Sequence, residues 1–377
     1  MEIHTFQSLA ECSALKEAWN AIVRQNARTI DGLDVTATFD WTSALCDNFL
    51  PDQPQKVIVL QDGGDIVGVL PFFERKTKAT GFVTREISPI VELYGRRGGF
   101  VVKDNSPSYL EKMFEFLYEL KDWDTLTFTI VDGGAFANAF EQMVQSRGYV
   151  VDILSKSYSP CVSLTQDWDS YFSQLDPKFR YNFKNREKKL KQLGSIKFKI
   201  YETKEVSTEF IDAMLQIERR SWKEKAGTSI TTNLYQERFY KLFTPRAVEN
   251  GWFLGLLLTV NDVPIAHTYG IVFENIFYNL KISYDESYKA ISPGHLITGF
   301  TIRELYRRGV AIYDFHGNPE WYKMKWANMT YSKTHYVMYN KTWRARLARM
   351  KLKLGQLIKA KRSATAINSS PGKQPSG

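Results

Sequence analysis

A β-hairpin pattern occurs twice in this chain, roughly 195 residues apart, and the same series of elements follows each copy. In the first copy, Val57 to Leu60 meets the turn Asp62-Gly63-Gly64-Asp65 and returns as Ile66 to Phe73. In the second, Trp252 to Leu258 meets the turn Asn261-Asp262 and returns as Pro264 to Ile271. Gly, Asn and Asp tolerate the positive φ that tight hairpin turns need, so both stretches read as paired strands. Ser106-Pro107-Ser108 then opens a helix to Leu120, followed by the strand Leu126 to Ile130 and Asp132-Gly133-Gly134. Ser292-Pro293-Gly294 likewise opens a helix, followed by Ile312-Tyr313-Asp314 and Gly317. This order of elements predicts an internal duplication, hence two α/β domains of one fold, at about 1–165 and 166–340. Two helices are predicted before the first hairpin, one through Leu15, Ala18, Trp19 and Ile22, the other through Phe39, Trp41, Leu45 and Phe49.

The halves differ at the helix start. Ser108 stands where the second half has Gly294, and no aromatic-lysine pair like Tyr322-Lys323 follows Gly134. Ser292 as N-cap, Pro293 at the first helical position and a bare Gly294 predict exposed N–H groups at Gly294, His295 and Leu296. With the helix dipole behind them, such groups suit a phosphate. Between the halves, Asp176 and Pro177 open a basic helix that Gly194 ends, with Phe179, Phe183, Arg186 and Leu190 on one face. Its lysines and arginines fit either a phosphate-binding or a solvated face. Trp222, near the end of the next helix, fits either the core or an acceptor groove.

Asp314, His316 and Gly317 come at a strand end, the usual place for working residues in such sheets. Glu320 to Trp326 adds a polar and aromatic cluster directly behind them. The combination of Ser292-Pro293-Gly294-His295-Leu296, Asp314-Phe315-His316-Gly317, Glu320, Tyr322-Lys323 and Trp326 resembles the C-terminal signature of GNAT-type acyltransferases. The group it resembles is that of cellulose-biosynthesis acetyltransferases, related to Fem-type peptidoglycan aminoacyl transferases. That resemblance implies tandem GNAT-like domains with mixed, largely antiparallel sheets, the first half degenerate. It also implies acetyl-CoA or another acyl-CoA as co-substrate, no metal, and a small-molecule or glycan acceptor, as in exopolysaccharide biosynthesis. Ser292, Gly294, His295 and Leu296 are the expected donor-binding residues, with the sheet splayed after Tyr278 to Lys281 to take the pantetheine arm. Arg180, Trp222, Tyr322 and Trp326 are expected on the acceptor. Lys323 is the expected cation for developing negative charge, and Asp314, His316 and Glu320 stay open as the base. Two other readings follow from the same resemblance: a transferase using aminoacyl-tRNA, and a non-catalytic partner of a polysaccharide synthase.

Charge decides against a nucleic-acid face. The net charge is +9, but residues from Lys341 onward hold ten Lys or Arg and no acid, which leaves −1 for the rest. A basic tail is predicted, not a basic surface. Trp343, Leu347, Met350, Leu354, Leu357 and Ile358 form one helical stripe within it. Contact with an anionic membrane through 343–362, docking on the second domain, and a partner helix all fit that stripe. From Ser363 on, disorder is expected. The start lacks a signal-peptide pattern, Cys12, Cys46 and Cys161 show no metal spacing, and the expected location is cytoplasmic, at most peripheral on the inner membrane face. G-x-S-x-G, H-E-x-x-H, C-x-x-C and P-loop patterns are absent from the sequence.

Overall fold

A computed structural model describes residues 1–377 apart from 51–53, 79–81, 94–96 and 369–377, and apart from the side chains of 206 and 359–368. The first half runs β1 (Glu2–Phe6), α1 (Lys16–Gln25), α2 (Phe39–Phe49), β2 (Gln55–Asp62), β3 (Asp65–Thr77), β4 (Thr84–Pro89) and β5 (Val101–Val102). It continues through α3 (Pro107–Glu119), β6 (Thr125–Val131), α4 (Ala135–Arg147) and β7 (Val150–Ser163). After α5 (Trp168–Gln174) and α6 (Pro177–Lys191), the series starts again with β8 (Ile196–Tyr201), α7 (Lys204–Arg219), α8 (Trp222–Lys225) and α9 (Leu234–Glu249). Then come β9 (Phe253–Val260), β10 (Val263–Phe273), β11 (Ile276–Tyr284), α10 (Pro293–Arg308), β12 (Ile312–Asp314), α11 (Trp321–Met324), β13 (Met329–Tyr339) and α12 (Trp343–Asn368).

The strands form one mixed sheet in the order β1-β2-β3-β4-β6-β13-β7-β12-β11-β10-β9-β8, with β5 beside β3. Pairing is antiparallel except for β4 with β6 and β11 with β12. The order reads the same from either end: each half supplies an edge strand, a hairpin, and a parallel neighbour. At the centre the halves exchange strands. The last strand of the second half, β13, lies between β6 and β7, while β7 of the first half pairs with β12. The division expected near 165 falls in the segment between β7 and α5, yet the hydrogen-bond ladder crosses it in both directions.

Local chemistry explains the elements. Both hairpins turn where predicted, with Gly63 and Gly64 in the first and Asn261 and Asp262 in the second at positive φ. Asp176 caps α6 by accepting the Phe179 N–H at 2.8 Å, and Phe179, Phe183 and Leu190 bury that helix against α10 and Trp326. Trp19 and Ile22 of α1 are buried, whereas Ala18 faces solvent. The α12 helix passes Gly355 and continues beyond Arg362 to Asn368, where Ala364 and Ala366 favour helix. Residues 369–377 lie outside the described part.

Candidate active site

In the second half, β11 outlasts its parallel neighbour. The ladder between them ends at Tyr278 opposite Asp314, where β12 stops, while β11 runs on to Tyr284. From Asn279 to Tyr284 that side of β11 therefore has no strand beside it. The resemblance implied a splay after Tyr278 to Lys281, and the strands part at Asn279. The α10 helix begins at its far end, and a cavity of about 350 Å3 opens between them. Ile282, Ser283 and Tyr284 line it from the strand, Ser292, Gly294 and His295 from the helix start, Trp222 and Lys223 from α8, and Trp321 and Tyr322 from α11.

The helix start differs from the sequence reading. Ser292 adopts φ 49° and ψ 64° and its side chain makes no capping bond, because a 3-10 turn over Glu286–Ile291 runs straight into α10. Its carbonyl instead accepts the His295 N–H at 3.0 Å and the Leu296 N–H at 3.3 Å. Of the three N–H groups expected to be free, only that of Gly294 has no partner among the described residues. A Cβ on Gly294 would press on the Tyr284 ring at 3.3 Å, so glycine lets helix and strand approach. The His295 side chain accepts the Trp326 indole N–H at 3.1 Å, and burial first, then Arg186, lowers its pKa to about 4. It is neutral at pH 7. Leu296 and Trp326 are core residues, and Trp326 supports the site from beneath.

Lys223 is a site residue that sequence reasoning missed. Its ammonium donates to the Ile282 carbonyl on β11 and lies 3.9 Å from Glu218. Burial lowers its pKa to about 8, against the opposing pull of Glu218. Glu218 is itself buried. Burial alone would raise its pKa, but hydrogen bonding with His267 and the charge of Lys223 outweigh this and hold it at about 2. His267, neutral through burial, donates from Nε2 to Glu218 at 3.3 Å. Ser229 and the Ile230 N–H complete the carboxylate's partners at 3.1 and 3.2 Å.

On the other side of α11 lies a second cavity of about 490 Å3, lined by Thr129, Ser155, Ser157, His316, Gly317, Asn318, Glu320, Lys323, Lys333 and His335. Both halves contribute to it, and every side chain in it is polar. Lys323 is buried, 2.7 Å from the half-exposed Glu320 and 3.3 Å from the Asn318 carbonyl. The His316 Nε2 is buried without a hydrogen-bond partner, and burial lowers its pKa. Lys333 is also buried and has no ion-pair partner among the described residues, with its pKa lowered by burial first. Trp321 and Tyr322 line the first cavity while Glu320 and Lys323 line the second, so α11 is the wall between the two.

The remaining predicted residues are placed apart. Asp314 is fully buried, with its carboxylate 3.0 Å from Arg97 and accepting from the Tyr331 hydroxyl at 2.9 Å and the His316 N–H at 2.8 Å. It lines neither cavity. Arg97, buried too, also contacts Asp34 at 3.3 Å, so Asp314 serves a structural junction between the halves. Arg180 donates to the Leu175 carbonyl at 3.0 Å at the root of α6 and lines neither cavity. Trp222 is half exposed and walls the first cavity, so it is not a core tryptophan.

A search of curated proteins finds no match. Among solved structures, FemX matches with TM-score 0.58 at 13% identity, over 89% of this chain and 97% of that one. A Bacteroides thetaiotaomicron protein of unknown function matches with TM-score 0.58 at 12% identity, over 90% of this chain and 100% of that one. The C-terminal domain of an Agrobacterium fabrum protein assigned as a lysylphosphatidylglycerol synthetase matches with TM-score 0.53 at 12% identity, over 92% and 97% of the two chains. At such identities these likenesses speak for the fold. The α/β architecture with its large mixed sheet is of the GNAT type, and residues 177–324, which span the splayed strand, the α10 start and Lys323, match the acetyltransferase (GNAT) domain family.

Proposed function

We propose that the chain moves an acyl group from an acyl-CoA thioester to an amine or hydroxyl acceptor. The observation that carries this reading is the unpaired edge of β11 from Asn279 to Tyr284, ending in the cavity at the α10 start. A strand edge can pair with the amides of a pantetheine arm, and the residues at its end fit the pyrophosphate: the free Gly294 N–H, the dipole of α10 and the Lys223 ammonium. The acceptor enters from the second cavity, which fits a hydrogen-bonding molecule such as a glycan or its precursor. There Lys323 supplies positive charge toward the oxyanion that forms when the acceptor attacks the thioester carbonyl. His316, neutral with a free Nε2, and Glu320 are the groups in that cavity able to take the acceptor's proton. Asp314 is not among them, because its oxygens are held by Arg97, Tyr331 and the His316 N–H.

Calorimetry with CoA on the unmodified chain and on Gly294→Asp tests the donor assignment. Binding by the former, weakened roughly tenfold or more by a carboxylate beside the phosphates, is expected. A folded chain that ignores CoA would sink the reading and turn attention to an aminoacyl-tRNA donor.

A further inference from the structure

Beyond Trp343, whose ring lies 6.2 Å from that of Phe82, the α12 helix packs on the rest of the protein with one face. Ala345 and Ala348 are buried against Val337 and Tyr339 of β13, with Leu352 packed beside them. At about 3.6 residues per turn, Trp343, Leu347, Met350, Leu354, Leu357 and Ile358 fall on the opposite side. They are exposed there: Trp343 60%, Leu347 40%, Met350 67%, Leu354 58%, Leu357 61% and Ile358 44%. Docking of this stripe on the second half, one of the readings open from sequence, is therefore not what the fold does. The stripe has basic borders. Arg344 and Lys351 flank one side and Arg346 and Lys353 the other, and no acid occurs from Lys341 to the end of the sequence. Beside the root of the helix lies a cavity of about 330 Å3, lined in part by Lys341, Arg346, Tyr118 and Tyr149. Arg147 and Arg349, also in its wall, are engaged with Glu111, Glu115 and Asp152, whereas Lys341 and Arg346 have no ion-pair partner among the described residues.

From this surface we infer that α12 docks the protein on an anionic phospholipid bilayer, lying along it rather than through it. Among the described residues no helix is long and apolar enough to cross a membrane. An exposed apolar sector between two rows of cations fits the boundary between acyl chains and acidic headgroups, and Trp343 suits that depth. Lys341 and Arg346 meet headgroup phosphates at the mouth of the cavity. A second copy of the chain fits poorly. The stripe has coiled-coil spacing, but the positions flanking such a seam would be Arg344, Arg346, Lys351 and Lys353, so two copies would set like charges against each other. The inference is independent of the acyltransfer reading, since nothing in it uses the two cavities at α11.

Co-sedimentation of the full chain with vesicles of phosphatidylcholine and phosphatidylglycerol at 3:1, and with phosphatidylcholine alone, tests it. Binding is expected to the first and to be at least roughly tenfold weaker to the second. Leu347→Ser with Leu354→Ser, and separately Arg344→Gln with Arg346→Gln and Lys351→Gln, should each abolish it while circular dichroism stays unchanged, because all these side chains face outward. Equal binding by the variants, equal binding to both vesicle types, or no binding by the unmodified chain would overturn it. So would a dimer in sedimentation equilibrium that Leu347→Ser dissociates, which would assign the stripe to a second copy.

Discussion

Lys323 and Lys223 stand on opposite sides of one short helix and are expected to fail differently when changed. Lys323→Met keeps the buried stem and removes the charge, leaving Glu320 solvated; turnover should fall roughly a hundredfold while the melting temperature hardly moves. Steady-state kinetics beside a thermal melt checks this, and unchanged turnover would make Lys323 a structural partner of Glu320 only. Lys223 has its pKa near 8, so it is a cation below that pH and neutral above it, whereas the phosphates of CoA stay charged. CoA affinity should therefore drop as pH rises from 7 to 9, by roughly tenfold for one lost charge-assisted contact. Lys223→Met should bind weakly and with no such step; a step that persists would assign it to another group. Of these two lysines the sequence pointed only to Lys323. Trp222-Lys223-Glu224-Lys225 reads as a solvated helix end, and nothing in its spacing tells that β11 folds over Lys223. His316 was legible as a strand-end residue, but its free nitrogen was not. Asp314 shared the same signal and turned out to be held by an arginine 217 positions away.

Among the elements, those governed by near neighbours in sequence were the legible ones. Both hairpins and α6 with its Asp176 cap lie where turn and cap chemistry put them, and α10 begins at Pro293 as read, though without the Ser292 cap. The failure at Ser292 has the same kind of cause: a cap rule assumes that extended chain precedes the helix, and here a 3-10 turn does. Close packing between elements was invisible. Gly299 lies mid-helix in α10, where glycine is disfavoured, and a Cβ there would meet the Phe183 ring at 2.4 Å and Trp326 at 3.0 Å. Gly299→Val should consequently destabilise the fold by about 1–3 kcal/mol, although valine is the better helix former. Urea unfolding measures it, and a stabilised variant would show that α6 and α10 can move apart without cost. If they do separate, His295 loses its support from Trp326, so CoA binding should weaken with stability.

For the whole molecule, the duplication was legible and the exchange of strands was not, since order along the chain does not reveal which half a final strand joins. Among the features that tie the halves together are β13 between β6 and β7, β7 beside β12, and Arg97, paired with Asp34 in its own half, reaching Asp314 across the junction. Arg97→Met would leave two buried carboxylates without their counter-charge and should cost about 3–5 kcal/mol, read by denaturant unfolding. A loss below about 1 kcal/mol would mean that water enters and solvates them. Strand exchange also sets a timetable for synthesis. When the ribosome has made β6 and β7, the strand that belongs between them has not been translated, and among the described residues β6 is held by a two-residue parallel ladder to β4 and a single bridge from Thr129 to Gly98. Completion waits for Met329–Tyr339. At about 5–20 residues per second that delay is roughly ten to thirty seconds, during which one edge of β6 and, until β12 is made, both edges of β7 stand open to other nascent chains. The newborn N-terminal half is thus a client for chaperones until the C-terminus arrives, and a transcript truncated before codon 329 should yield aggregate rather than a folded half.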